Sequence, residues 1–191
     1  MAIMAMIHTL WRVFPWEPDA DAGEPFSPSY INPCQEDGRY DLDGKPLILN
    51  LAESPAHAIA EQIQGRHGRN LRAKDLTESG RPLAIVRVTL GDDRSTIPDL
   101  SLPRALHRFG CRPDQLMSRD PKCSQRLSRN LHQRGVPGFR VWSALSGDWH
   151  CTVLFMDRAV NLSLTFGRPR RLTFRTRGVA QAARVLDIAL R

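Results

Sequence analysis

The sequence predicts one α+β domain, a mixed sheet core with flanking helices, over residues 1–191, and three observations carry that expectation. Strand-like segments recur along the whole chain, but helical segments interrupt them irregularly, without the regular βαβ alternation of a doubly wound sheet. A chain of 191 residues with 41% hydrophobic positions is long enough to bury a real core and short enough to need only one. Internal repeats, low-complexity tracts and a linker between domains are all missing from the pattern.

Taken in order, Ile7 to Phe14 reads as a strand, followed from Pro15 to Cys34 by a loop rich in Pro, Gly, Ser and acidic residues. A loop that long is uncommon in a compact domain unless it works as a lid or binding loop. Gly38-Arg39-Tyr40-Asp41 leads through an Asp43-Gly44 turn signal into a strand over Pro46 to Leu51. Ser54-Pro55 is a cap followed by the residue best tolerated in a first turn, and Ala56, Ile59, Ala60 and Ile63 repeat at helical spacing up to Gly65. A polar, basic connection runs to Arg81. Leu83 to Leu90 is a strand with Ala84, Val86, Val88 and Leu90 on one face. Short helices are expected at Pro103 to Phe109, near Pro113 to Leu116, and from Ser124 to Arg134. Phe139 to Leu145 and Trp149 to Met156 form a hairpin through Ser146-Gly147-Asp148, the second strand apolar on both faces. Arg171 to Arg177 alternates like a strand, and Gly178 to Leu190 reads as a final amphipathic helix.

Composition removes several classes. The apolar runs fall far short of the roughly 20 residues that a membrane-spanning helix needs, so no membrane association is expected. The start, Met1 to His8, has no basic region and no small-residue cleavage site, and reads as mature protein. Cys34, Cys111, Cys123 and Cys151 are scattered, as expected of free thiols in a reducing cytoplasm, and no ligand pairing suggests a metal. The net charge of +7 conceals a division: residues 1–100 carry 10 Lys+Arg against 15 Asp+Glu, and residues 101–191 carry 17 against 5. Such asymmetry fits a nucleic-acid face, an acidic protein partner or a phosphate-bearing substrate. The signatures of Rossmann dehydrogenases, P-loop NTPases, α/β-hydrolases and zincins do not occur.

What remains is an ordered set: Trp11-Arg12-Val13-Phe14, Gly38-Arg39-Tyr40, Leu49-Asn50-Leu51-Ala52, Ser54-Pro55-Ala56-His57-Ala58-Ile59-Ala60-Glu61, and Phe139-Arg140-Val141-Trp142-Ser143. In order and spacing this set resembles the RES-domain family of bacterial toxins, over roughly residues 9–157. The resemblance implies a fold similar to ADP-ribosyltransferases, NAD as a substrate, no metal, and a helix-turn-helix antitoxin as partner. It implies roles in catalysis for Glu61, Arg39 and Ser143, and in binding NAD for Arg12, Arg39, Tyr40, Asn50 and Ser143. One departure is visible, because the family commonly carries a Tyr where Asn50 stands.

The chemistry agrees with those residue types. Breaking the nicotinamide–ribose bond builds oxocarbenium character at the ribose while the leaving group departs neutral, so a carboxylate near the ribose and cations on the pyrophosphate are required. Glu61 suits the first and Arg39 the second. From the helix alone, Glu61 reads as a surface residue paired with His57 four positions earlier, on a polar flank; the resemblance reverses that. Ser143 shares a strand face with Phe139 and Val141 and, with no His or acid placed to activate it, is expected to bind and position. Arg12 divides evenly between ligand contact and solvent. The competing reading is a basic nucleic-acid- or protein-binding module without catalysis, supported by Arg168, Arg170, Arg171, Arg175 and Arg177. A basic stripe without interleaved aromatics makes direct nucleic-acid binding the weaker expectation. Oligomeric state, including a homo-oligomer, and the acceptor (water, phosphate or protein) are left open by the sequence.

Overall fold

The computed structural model describes residues 8–35, 37–42, 46–91, 96–118 and 120–191. The expected Asp43-Gly44 turn and the Ile7 start of the first strand lie outside them. The architecture is α+β, with an antiparallel sheet and, among the described residues, five α-helices.

Strand β1 spans His8–Pro15 and β2 spans Ile48–Ala52, with Asn50 the one exposed position of β2. Helix α1 covers Pro55–Ile63; the Ser54 hydroxyl accepts a hydrogen bond from the His57 amide at 3.2 Å, and Pro55 fills the first turn, where its missing N–H costs nothing. The basic connection that follows is more structured than its composition suggests. It contains β3 (Asn70–Leu71), a 3-10 turn over Ala73–Leu76 and β4 (Thr77–Glu78). Ser79 and Gly80, both with positive φ, then reverse the chain into β5 (Arg81–Leu90). Helix α2 (Pro103–Phe109) closes on Gly110 in the left-handed region, and α3 covers Pro113–Met117. Helix α4 (Pro121–Gln133) starts three residues before the expected Ser124, because the Asp120 carboxylate accepts from the Lys122 amide at 3.0 Å and caps it there. Strands β6 (Gly138–Trp142), β7 (His150–Phe155), β8 (Leu164–Phe166) and β9 (Arg170–Arg171) follow, then α5 (Arg177–Val185) and β10 (Ala189–Leu190).

Three expected boundaries are corrected. The strand expected over 171–177 is only the pair Arg170–Arg171; Leu172 is buried as its alternation implied, but the Thr173 amide donates to the Thr176 hydroxyl at 3.1 Å and the segment turns into α5. The strand expected over 139–145 stops at Trp142. The final helix stops at Val185, because Asp187 is left-handed and the Ile188 amide bonds back to the Ala183 carbonyl at 2.8 Å, releasing β10 to pair in parallel with β3.

The chain divides into two compact units, residues 1–8, 31–50 and 90–164, and residues 9–30, 51–89 and 165–191. In the first, β6 and β7 pair antiparallel from Gly138↔Leu154 to Trp142↔His150, and the Met156 amide bonds the Leu47 carbonyl beside β2. Its core is a cluster around Tyr40, Phe139 and Phe155, with the Tyr40 and Phe139 rings edge to face at 5.2 Å. Beside this core Arg140 Nη1 bonds Asp99 Oδ2 at 2.9 Å. In the second unit the strand order is β4-β5-β1 and then the Leu51–Ala52 end of β2, with β8 and β9 also on β5. Alternation along β5 is weaker than expected: Leu83, Ala84, Ile85 and Val86 are all buried, as in a central strand. Helix α5 crosses α1 at Gly178, where a Cβ would lie 2.8 Å from Ile59 Cδ1 and 3.4 Å from the Ala56 amide nitrogen.

Two predictions follow from this packing. Gly178→Val forces a branched side chain into the fully buried Ile59 and is expected to destabilise by about 1–3 kcal/mol, measured by urea unfolding. Gly65→Ala, at a position with nothing within 4 Å, should stay within about 0.5 kcal/mol of wild type. For Asp99, burial raises the carboxyl pKa, but the hydrogen bonds from Ser101 and the charge of Arg140 outweigh it and hold the group below its ordinary value. A carboxylate depressed in the folded state stabilises fully above its unfolded pKa and loses that contribution as pH falls through the folded value. Asp99→Asn should therefore lower the urea midpoint at pH 7, and the difference should shrink below about pH 4. A difference independent of pH would mean that charge is not its cause.

Candidate active site

Glu61 lies on the second turn of α1, and its carboxylate is fixed on both sides. Oε1 sits 3.0 Å from His57 Nε2, and Oε2 accepts from Gln64 Nε2 at 3.1 Å. The Glu61 side chain keeps 36% exposure while His57 keeps 1%. This corrects the expectation of a polar flank for His57: the helix is enclosed over Ala56, His57, Ala58, Ile59, Ala60 and Ile63, far more than the narrow apolar stripe predicted. A buried imidazole therefore presents one nitrogen to a half-open carboxylate, which removes rotamer freedom from the acid before any ligand arrives. His57 was visible in the sequence as the i−4 neighbour of Glu61, but its burial was not.

Arg12 lies on β1 in the same unit and is committed to the chain. Its Nη1 donates to the Pro28 carbonyl at 2.9 Å, its Cζ lies 5.6 Å from the Phe14 ring centroid, and burial pulls the guanidinium down to about 10. It stays charged at neutral pH. The loop after β1, expected as a lid or binding loop, is tied down elsewhere too. Arg81 Nε pairs with Glu17 Oε2 at 2.7 Å and lies over the Phe26 ring, and the Gly23 amide donates to the Ser29 hydroxyl at 2.9 Å. It behaves as a compact Ω-type loop packed by its own side chains.

In the first unit, Gly38-Arg39-Tyr40-Asp41 is a hooked turn. The Gly38 amide donates to Asp41 Oδ2 at 2.7 Å, and a Cβ at Gly38 would fall 2.5 Å from that oxygen, so a larger residue there must displace the Asp41 carboxylate. Burial raises the Asp41 carboxyl, the Gly38 hydrogen bond opposes this, and the charge of Asp37 adds to it. Helix α4 holds the turn from behind: Gln125 Nε2 donates to the Gly38 carbonyl at 3.0 Å and the Ser128 hydroxyl to the Tyr40 carbonyl at 2.7 Å. None of these three supports was singled out by sequence reasoning, since their partners are backbone atoms 3 to 88 residues away. Tyr40, expected to contact NAD, keeps 4% exposure, with its ring in the core against Phe139 and Arg39 Cζ 5.0 Å above it. Arg39 gives Nη2 to the Leu116 carbonyl at 2.6 Å, while its buried Nε has no hydrogen bond among the described residues.

Ser143 is fully buried, as expected, but sits one residue beyond β6 rather than on it. Its amide donates to the Trp149 carbonyl at 2.8 Å and its hydroxyl accepts from the Leu145 amide at 3.1 Å. Asn50 is exposed between buried Leu49 and Leu51. Arg39, Tyr40, Asn50 and Ser143 thus belong to the first unit, and Arg12 and Glu61 to the second.

In fold the chain is similar to a chain of the M. tuberculosis MbcT-MbcA toxin-antitoxin complex, known from its crystal structure. The TM-score is 0.59 at 17% sequence identity, over 96% of this chain and 91% of that one. No curated protein sequence matches it. The RES domain matches residues 9–175, which include Arg12, Arg39, Tyr40, Asn50, Glu61 and Ser143. The chain belongs to the RES domain family.

Proposed function

We propose that this RES-domain protein is a toxin-like enzyme that consumes NAD by cleaving the nicotinamide–ribose bond. The observation that carries the reading is Glu61: a half-exposed carboxylate on a family-matched helix, oriented by a buried His57 and by Gln64. As the bond breaks, its electron pair leaves with the nicotinamide nitrogen, which becomes neutral, and positive charge develops on the ribose carbon before the acceptor oxygen bonds to it. A carboxylate already fixed in direction stabilises that charge without reorganising during the reaction. Arg39 would hold the pyrophosphate through its remaining guanidinium nitrogens, with the Tyr40 ring as a platform beneath it. The buried Ser143 would position rather than attack, and Asn50 would face the nucleotide from β2.

The fold likeness to a chain of a toxin-antitoxin complex supports a protein antitoxin as partner, here of the helix-turn-helix kind, with its acidic or helical part against the basic C-terminal half. No helix among the described residues is long and apolar enough to cross a membrane.

The deciding experiment is incubation of the purified protein with NAD, with and without phosphate, followed by identification of nicotinamide and of the ribosyl product. Glu61→Gln keeps size and hydrogen-bonding capacity but removes the charge, and should lower turnover by about a hundredfold or more with little change in NAD affinity. Arg39→Ala removes a clamp present in ground and transition states alike and should weaken NAD binding first, with Arg39→Lys a partial rescue because the planar fork is gone. Full turnover in a folded Glu61→Gln protein, or no nicotinamide release by wild type, overturns the proposal. Since Asn50 is exposed, a ring fits there: Asn50→Tyr should lower the Michaelis constant for NAD by adding aromatic area. An unchanged value would place Asn50 away from the nucleotide.

A further inference from the structure

Several arginines of this chain have carboxylate partners. Arg66 pairs with Asp75, Arg81 with Glu17, Arg112 with Asp114 and Arg140 with Asp99. Arg170, Arg171, Arg175 and Arg177 differ: none of them makes an ion pair or a side-chain hydrogen bond among the described residues, and all four line one cavity of about 590 Å³ in the second unit. No Asp or Glu lines it, and the other polar side chains on its wall are hydroxyls and an amide. Four like charges in one concavity repel one another, and the field they focus is relieved by bound anion.

Local structure concentrates this charge. Because the chain turns at Thr173 and Thr176 instead of continuing as a strand, Arg175 and Arg177 fold back toward the β9 pair Arg170 and Arg171. The close approach at Gly178 brings the start of α5 against the start of α1, so the first turns of both helices lie on the same wall. The dipoles of both helices add to the field with the same sign as the arginines.

From this cavity and its unpartnered arginines we infer a binding site for a small polyphosphorylated anion, distinct from the residues proposed to act on NAD. Arg12, Arg39, Tyr40, Asn50, Glu61 and Ser143 all lie off its wall. The volume suits a small molecule, and two or more linked phosphate groups are needed to engage four guanidinium forks in bidentate fashion. No aromatic ring lines the cavity, so it offers no platform for stacking bases and favours a compact phosphate chain over a nucleic-acid strand. The inference does not rest on NAD cleavage.

The test is calorimetric titration of the full chain at low salt with tripolyphosphate, ATP and a short DNA duplex. Tripolyphosphate is expected to bind. Arg171→Ala and Arg175→Ala, both exposed positions, should each weaken it by about tenfold, with Arg171→Lys weakening it less, since the charge remains while the bidentate fork is lost. Glu61→Gln should bind as wild type does, which separates this site from the proposed catalytic one whether or not NAD is cleaved. ATP binding more tightly than tripolyphosphate would identify a nucleotide as the source of the phosphates; equal binding would identify the phosphate chain alone. The inference is overturned by absence of tripolyphosphate binding, by binding undiminished in both arginine variants, by displacement of tripolyphosphate by NAD, or by a DNA duplex that binds more tightly through the same arginines.

Discussion

The close crossing of α1 and α5 at Gly178 is the constraint on which the second unit depends. A Cβ at Gly178 would meet Ile59 Cδ1 at 2.8 Å, so a larger residue there must displace the buried Ile59 side chain. Helix α1 itself is buried at Ala56, His57, Ala58, Ile59, Ala60 and Ile63. The buried His57 gives Glu61 a fixed partner one turn along the same helix. The same crossing brings two helix starts to the wall of the basic cavity. Helix packing and the anion field thus share one crossing.

The first unit has its own glycine constraint, of a different kind. At Gly38 the limit is a carboxylate folded back onto the amide of its own turn, where a Cβ would meet it. Helix α4 supplies side-chain donors to the carbonyls of that turn, so the placement of Arg39 depends on an element about 85 residues away in sequence. The Tyr40 ring joins the core rather than open space, and its value to Arg39 is as a rigid surface.

Arginine serves three separate purposes here. Arg12, Arg81 and Arg140 are structural, each satisfied by a carbonyl or a carboxylate, and Arg12 shows the cost of burial in its lowered pKa. Arg39 is half committed, with one nitrogen on Leu116 and another buried without a partner. Arg170, Arg171, Arg175 and Arg177 are uncommitted and gathered on the wall of one cavity, which makes their charge chemically informative.

Local pattern in the sequence was sufficient for the α+β class, for α1 with its Ser54 cap, for α2 and α3, and for β5 and the β6–β7 pair, because each rests on caps, prolines and apolar spacing within a few residues. The ordered motifs were also sufficient for the RES family, which the match over residues 9–175 bears out. What the sequence could not decide depended on partners far along the chain. The parallel pairing of β3 with β10 joins residues 70–71 to 189–190, and no local signal marks either pair as a strand. The alternation at 171–177 looked like a strand because a turn with arginines on its outside has the same spacing of apolar residues. Glu61, Arg39 and Ser143 were legible as residue types in order. Which of their atoms are engaged, by His57, by the Leu116 carbonyl and by the Leu145 amide, was decided only when tertiary packing chose the neighbours.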